Sequence, residues 1–281
     1  MSNRLSIVVA LLALSPWSMP AAAEHSADAA YEAGDFALCA RLYLAQAERS
    51  PPLSDARYNA ACCFARAGEV DQAMDQLGLV DIEERVGASP ELDPDLNALH
   101  ADPRWPSLLS HWQAQVAEHT RGYDHALLAE LKRRVAADQA ARSDQARFED
   151  AAAVDRDNTD WLKHLLQTRG WPPLTQIGTQ GSQQIWILAQ HADADRPFQV
   201  WVLELMKAAV ARGDARPRHL AYLTDRVLRG QGKPQRYGTQ FELRDGRMQP
   251  APIEDPEQVD ARRQAMGLET LAEYAARLSG N

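Results

Sequence analysis

The amino-acid sequence predicts a mainly α protein, with helical hairpins first and then a helical domain that carries a small β-hairpin. Three observations lead there. Apolar residues recur at helical spacing through most of the chain. Its N-terminal half repeats itself with a period of 34 residues, as between Gly34 and Gly68. Strand-like alternation is confined to one stretch, Tyr237 to Pro250, with the turn dipeptide Asp245-Gly246 at its middle.

Length and composition set the limits. A chain of 281 residues makes one large domain or two modest ones, and 45% hydrophobic content is enough for a real core. A net charge of −9 disfavours nucleic acid, whose phosphates demand a basic surface. It gives no support to anionic membrane binding either.

Residues 1–23 read as a removable export signal. Arg4 supplies positive charge, Leu5 to Leu14 is apolar, Pro16 and Pro20 interrupt it, and Ala21-Ala22-Ala23 offers small residues for cleavage. The apolar run is too short for a stable membrane span. The expected location is therefore the periplasm or the outside, with no stable span after cleavage. Cys39, Cys62 and Cys63 make an odd count, so at least one stays unpaired in the monomer. Cys39 can bridge to Cys62 or Cys63, or all three can be buried packing thiols.

The repeat spans 24–118. YEAGDFALCARLY aligns with FARAGEVDQAMDQL, matching Phe36 to Val70 and Cys39 to Ala73. Small residues at Ala60, Ala61 and Ala73 let two helices approach, and Gly34 and Gly68 permit the turns. Ser54-Asp55 is an expected N-cap. These residues and their period resemble the tetratricopeptide repeat. Beyond Leu79 the pattern degenerates into short helical turns, and Trp105, Leu108, Leu109 and Trp112 are expected to cover the last repeat face. Such repeats either support a neighbouring domain or bind a partner in a concave groove.

From 125 to 281 the chain reads as a second domain. His125 to about Arg147 is an amphipathic helix with Leu127, Leu128, Leu131 and Val135 on one face, while Asp138, Gln139 and Arg142 form a polar stripe. Asp155 to Asn158 reads as a break before a helix over Asp160–Thr168, which Gly170 ends. The strings GSQQIWILAQHAD and PFQVWVLELMKAAVAR are apolar almost all round, so their helices are expected at the centre. A helix over Arg218–Arg229, the hairpin, a cap at Asp255-Pro256 and two last helices complete the chain.

The strings RGWPPLTQIG, ILAQHAD, AYLTDRVL, KPQRYGTQF and PIEDPEQVDARRQAMGLETLAEY together resemble a bacterial domain family of unknown function, from about residue 125 to the end. The resemblance implies a shared fold and site and no particular reaction.

The candidate catalytic pair is His191 with Asp193: an imidazole at a helix exit, oriented by the following acid, can act as a general base. Equally, His191 can be a helix C-cap. Gln184 lies two turns earlier on the same face. Tyr237, Thr239 and Gln240 group a phenol, a hydroxyl and an amide beside the permissive Gly238, as candidate ligand binders or as a strand entry. Asp225 and Arg226 are either a substrate clamp or a structural pair. His164, His191, Asp193, His219 and Asp225 are the conceivable metal ligands, but no metal-binding spacing links them, and no cofactor motif occurs.

Two functions follow as expectations. One is an exported envelope protein that binds a protein, peptide or glycan. The other is a hydrolase or transferase on an envelope substrate with His191 as acid/base.

Overall fold

The computed structural model describes residues 27–48, 55–143, 148–244 and 247–278. The expected export signal, Ser54 and the Asp245-Gly246 turn lie outside the described residues. The protein is mainly α, with one two-stranded antiparallel sheet among the described residues.

Two hairpins open the chain: α1 (Ala27–Glu32) with α2 (Phe36–Ala47), and α3 (Ala56–Arg66) with α4 (Val70–Gly78). Their turns superimpose in hydrogen bonding at the 34-residue offset. Gly34 N–H donates to the Tyr31 carbonyl and Asp35 N–H to Ala30; Gly68 N–H donates to Ala65 and Glu69 N–H to Phe64. Both glycines have positive φ, 75° and 78°, which L-residues rarely adopt. The period in the sequence is therefore a period in backbone geometry. Ala60, Ala61 and Ala73 are fully buried where the helices close on one another.

Asp55 does stand at the α3 N-cap, but it has a left-handed φ of 64° and its side chain makes no capping bond. Asp255 likewise precedes Pro256 without a side-chain cap. Cys39 and Cys63 form a disulfide with Cα atoms 5.9 Å apart, and Cys62 remains a buried free thiol.

A short α5 (Ile82–Gly87) and two 3-10 turns (Pro90–Leu92 and Pro94–Leu99) lead to α6 (Trp105–His119). Trp105 and Trp112 are buried against the hairpin core, with Leu108 packed beside them, as covering residues should be.

The second half has its own core. Helix α7 (His125–Ser143) packs on α8 (Phe148–Arg169) and on α9 (Leu174–Gln190); α10 (Arg196–Arg212) and α11 (Pro217–Gly230) complete the layer. Ile185, Leu188, Val202, Met206 and Leu223 are at most 1% exposed, and α9 is central, packed on α7, α8 and α11. Helix α10 is not: Val200 and Trp201 are exposed on its outer face, so its apolar circumference is only partly buried. Each such side chain contributes about 1.5–3 kcal/mol by leaving water.

The expected break at Asp155–Asn158 is absent: α8 runs through it. Those polar residues are held by α7 arginines. Arg142 donates to Asp155 at 2.6 Å, and Arg134 donates to Asp157 at 2.7 Å and Asn158 at 3.0 Å. Cross-helix partners replaced the solvent that the local pattern implied.

Helix α9 starts earlier than its apolar string and kinks at Gly178, whose φ is 60°. A Cβ there would stand 2.8 Å from the Tyr123 ring. Strands β1 (Phe241–Arg244) and β2 (Arg247–Pro250) pair with Phe241 opposite Pro250; residues 237–240 precede the sheet rather than join it. Helices α12 (Val259–Ala265) and α13 (Leu271–Leu278) end the described chain.

Candidate functional site

The first candidate is a histidine–carboxylate pair whose partner differs from the expected one. Along α7, Leu127, Leu131 and Val135 step to Asp138 at spacings of four, four and three, which keeps Asp138 on the apolar face. Asp138 is accordingly 0% exposed, not part of a solvated stripe. Its oxygens lie 2.8 and 2.9 Å from His191 Nδ1, and Arg142 donates to it at 2.6 Å. A buried carboxylate needs such partners, because an unpaired one costs several kcal/mol. With Nδ1 committed to the carboxylate, neutral His191 keeps its lone pair on Nε2, and its side chain is 22% exposed. His191 stands at the C-cap of α9, where its backbone N–H bonds the Ile187 and Ala189 carbonyls while its ring turns to Asp138.

Asp193 does not orient His191. It accepts from Arg226 Nε at 3.0 Å, from Arg226 Nη2, and from Gln199 at 3.2 Å. Burial pushes its carboxyl pKa up, but Arg226, Gln199 and Arg196 outweigh that and hold it below the ordinary range. The pair ties the α9–α10 connection to α11. Arg226 is thereby separated from its sequence neighbour Asp225, which turns elsewhere.

Asp225 is fully buried and gathers the segment after α11. It accepts from the backbone N–H of Arg236 (2.7 Å), Tyr237 (3.0 Å) and Thr239 (2.9 Å), and from Thr239 Oγ1 at 2.9 Å. Burial raises its pKa despite these donors. Fully buried Gln235 accepts from Gln240 N–H and donates to the carbonyls of Gln240 and Ala251. Arg263, 1% exposed, donates to the Tyr237 carbonyl at 2.7 Å. The backbone of the Tyr237-to-Gln240 segment, with the Thr239 hydroxyl, is thus a knot around Asp225, Gln235 and Arg263. Its fold is set by buried side chains meeting backbone groups that no sheet satisfies.

Trp171 of the GWPP string is structural in the same sense. Its Nε1 donates to Ser182 Oγ at 3.2 Å, and Ser182 donates to the Asp214 carbonyl. His219 is buried and stacked on Trp186 with centroids 4.1 Å apart; burial, Arg216 and Arg218 push its pKa down to about 3.

The second candidate is a cleft of about 850 Å³ between the two halves. Gln180, Gln183, Gln184 and Thr179 line it from α9, with Val135 and Ile187 as apolar floor; Tyr58, Asn59, Glu83, Glu84 and Asp93 line it from the first half. Glu83 joins the walls, accepting from Thr179 Oγ1 at 3.0 Å while His119 Nε2 lies 2.8 Å from its other oxygen. Of the candidate ligand-binding residues named from the sequence, Gln184 lies in this cleft. The other lining residues were illegible as a site in the sequence, since Glu83 and Thr179 are 96 residues apart.

The two candidates are neighbours. Asp138 follows the cleft residue Val135 by three positions, and His191 follows Ile187 by four, with His191 N–H bonded to the Ile187 carbonyl. Residues so spaced share a helix face. The histidine–carboxylate pair therefore continues the α7–α9 seam that floors the cleft, one turn on.

Among the described residues, Cys62, Asp93 and Asp95 bring ligand atoms within 4.8 Å of one another. Burial and Asp93 push the Cys62 thiol pKa up, and Cys62 Sγ donates to Asp93 at 3.7 Å, so Cys62 is a neutral packing donor.

This arrangement defines a helical protein whose polar residues are held in buried networks beside a cleft between two hydrophobic cores. Residues 126–280, just over half of the chain, match the family of unknown function DUF6624, and the chain belongs to that family. No curated protein and no solved structure matches it.

Proposed function

We propose that the protein is an exported binding protein of the cell envelope whose ligand, a peptide or glycan, occupies the cleft between the repeat-like half and the family domain. The observation that carries this reading is the 850 Å³ cleft walled by both halves. That volume lies in the range of small-ligand sites, which combine an apolar floor with a few placed polar groups. Amides of Asn59, Gln180, Gln183 and Gln184 can both donate and accept, as hydroxyl- and amide-rich ligands require. The tetratricopeptide resemblance of the first half gives the cleft wall a role in partner binding. Export is supported by the residue 1–23 pattern, and the Cys39–Cys63 bridge suits an oxidising compartment.

A thermal-shift screen of peptides and glycans tests the reading. A ligand of the native form raises the melting temperature, and at 100 times its Kd adds about 2.7 kcal/mol. Gln183→Ala and Gln184→Ala are expected to abolish that shift with the unliganded melting temperature intact. A ligand whose shift survives both variants would place binding elsewhere.

A hydrolase or transferase activity is the second reading. It is favoured by the His191–Asp138 pair, which leaves Nε2 available at the end of the cleft floor. If turnover of a bound ligand is found, His191→Gln is expected to remove turnover and retain binding. Loss of binding with no change in turnover rate would count against it.

A further inference from the structure

The cleft does not stop at the first half's edge. A second cavity of about 350 Å³ shares Tyr58, Asn59, Asp93 and no other residue with it, and extends over the hairpins to Asp28, Tyr31, Glu32, Tyr43 and Asp95. The two form one groove. We propose that this second cavity is a subsite for a primary ammonium or guanidinium group, so that the groove takes a polycationic ligand. The inference rests on the reading of the cleft as a binding site and names its ligand class.

Three features converge. The first is the cavity itself, walled by the rings of Tyr31, Tyr43 and Tyr58. Aromatic walls attract cations through the ring quadrupole, an attraction that strengthens when the cation leaves water. The second is how those rings are held. Tyr31 donates its hydroxyl to Asp95 at 2.7 Å, Tyr58 donates to Asp93 at 2.9 Å, and Tyr43 donates to Asp28. Each phenol is oriented by a carboxylate; the Tyr31 oxygen also accepts from Arg66 Nη1 at 3.5 Å, so it is the carboxylates that supply acceptor sites. Each carboxylate has about four acceptor sites and retains some for the donors of an incoming cation. The third is charge. The groove is lined by Asp28, Glu32, Asp55, Glu83, Glu84, Asp93 and Asp95, and Arg216 is the one Lys or Arg lining it among the described residues. Asp95 is ion-paired at 2.7 Å with Arg66, which stands outside the lining, so Asp28, Glu32 and Asp93 carry the rest of the negative charge of the second cavity.

The same features discriminate among ligands. Phosphates and acidic glycans meet a repulsive field. A neutral sugar meets the amides of the cleft but leaves the carboxylates of the second cavity without a counter-charge. A basic peptide or a polyamine satisfies both, and the arms of one experiment separate these two sources.

Hexalysine, hexaglutamate and spermine are titrated calorimetrically into the full protein at low and high salt. Hexalysine is expected to bind one to one and hexaglutamate not at all. Raising salt from 0.05 to 0.5 M is expected to weaken hexalysine binding roughly tenfold, because exposed charges are screened. Glu32→Gln, on an exposed position that the fold does not need, and Asp95→Asn are each expected to weaken it about fivefold, while Glu204→Gln on the remote α10 surface leaves it unchanged. Spermine competing with hexalysine marks a free polyamine as a source; hexalysine binding without spermine competition marks a basic peptide; either supports the subsite. Absence of hexalysine binding at low salt overturns the proposal, as does equal weakening by Glu204→Gln and Glu32→Gln, which would be diffuse attraction to an acidic surface. A screened ligand that depends on Gln184 while hexalysine fails would leave the cleft standing and remove the cationic subsite.

Discussion

The imidazole of His191, at the end of α9, meets the carboxylate of Asp138, in the C-terminal part of α7, with Nδ1 at 2.8 Å from a carboxylate that is 0% exposed. The contact spans 53 residues and fixes both the position and the tautomer of the histidine.

The Nδ1-protonated tautomer of neutral His191 is therefore the expected form. Long-range proton–nitrogen NMR correlations of the ring check it. Asp138→Ala removes the acceptor and leaves the Arg142 guanidinium facing an empty site, with an expected loss of about 3–5 kcal/mol measured by urea unfolding. A neutral ring protonated on Nε2 and bare at Nδ1 would contradict the assigned pairing.

Asp225 is expected to be the most sensitive acid of the C-terminal segment. In Asp225→Ala, the N–H groups of Arg236, Tyr237 and Thr239 lose their common acceptor inside the core. Breaking such a network costs on the order of 3–5 kcal/mol. Hydrogen exchange should show loss of protection at the Tyr237 and Thr239 amides before any at α9. Unchanged protection there would mean that the knot has another anchor.

Stability should fall in acid through His219. Its folded pKa is about 3 against an ordinary value of 6.5, so the unfolded chain binds a proton that the folded chain refuses. Above pH 6.5 there is no penalty; as pH drops from 6.5 towards 3 the penalty grows, reaching on the order of 4 kcal/mol. His219→Phe keeps the ring stack on Trp186 and removes the titration. The unfolding free energy of the variant should be flatter between pH 6.5 and 4, by chemical denaturation, than that of the parent. Parallel curves would show that other groups carry the acid sensitivity.

One thiol per chain is expected in the native protein, and it should react only on unfolding, because Cys62 is buried while Cys39 and Cys63 are paired. Cys39→Ser is expected to cost about 2–4 kcal/mol by the loss of the cross-link. Cys62→Ser should leave the bridge intact by mass spectrometry under non-reducing conditions. Two or more reactive thiols in oxidised, folded protein would refute the pairing.

Sequence and structure divide along a physical line. The 34-residue period, the glycines that turn both hairpins, the central position of α9 and the β-hairpin were legible, because each is set by neighbours within a few turns; the outer face of α10, with Val200 and Trp201 exposed, was not. Asp138 was legible in principle, since it continues the Leu127–Leu131–Val135 face, yet a charged residue on an apolar face is explained only by its distant partner. The His191–Asp193 pairing and the break at Asp155–Asn158 rested on sequence proximity, and in both cases a remote partner took the polar group instead: Asp138 and the α7 arginines. Asp225 holds the backbone of Tyr237 and Thr239 and the Thr239 hydroxyl, which no sequence neighbour announces. The sequence by itself determined the mainly helical class, the hairpin turns and the buried central helix α9, because periodicity and backbone conformation are local. Only the tertiary structure decided which buried charges meet and that a cleft opens between Tyr58 and Gln184, because those contacts depend on how separate helices pack and no local spacing encodes them.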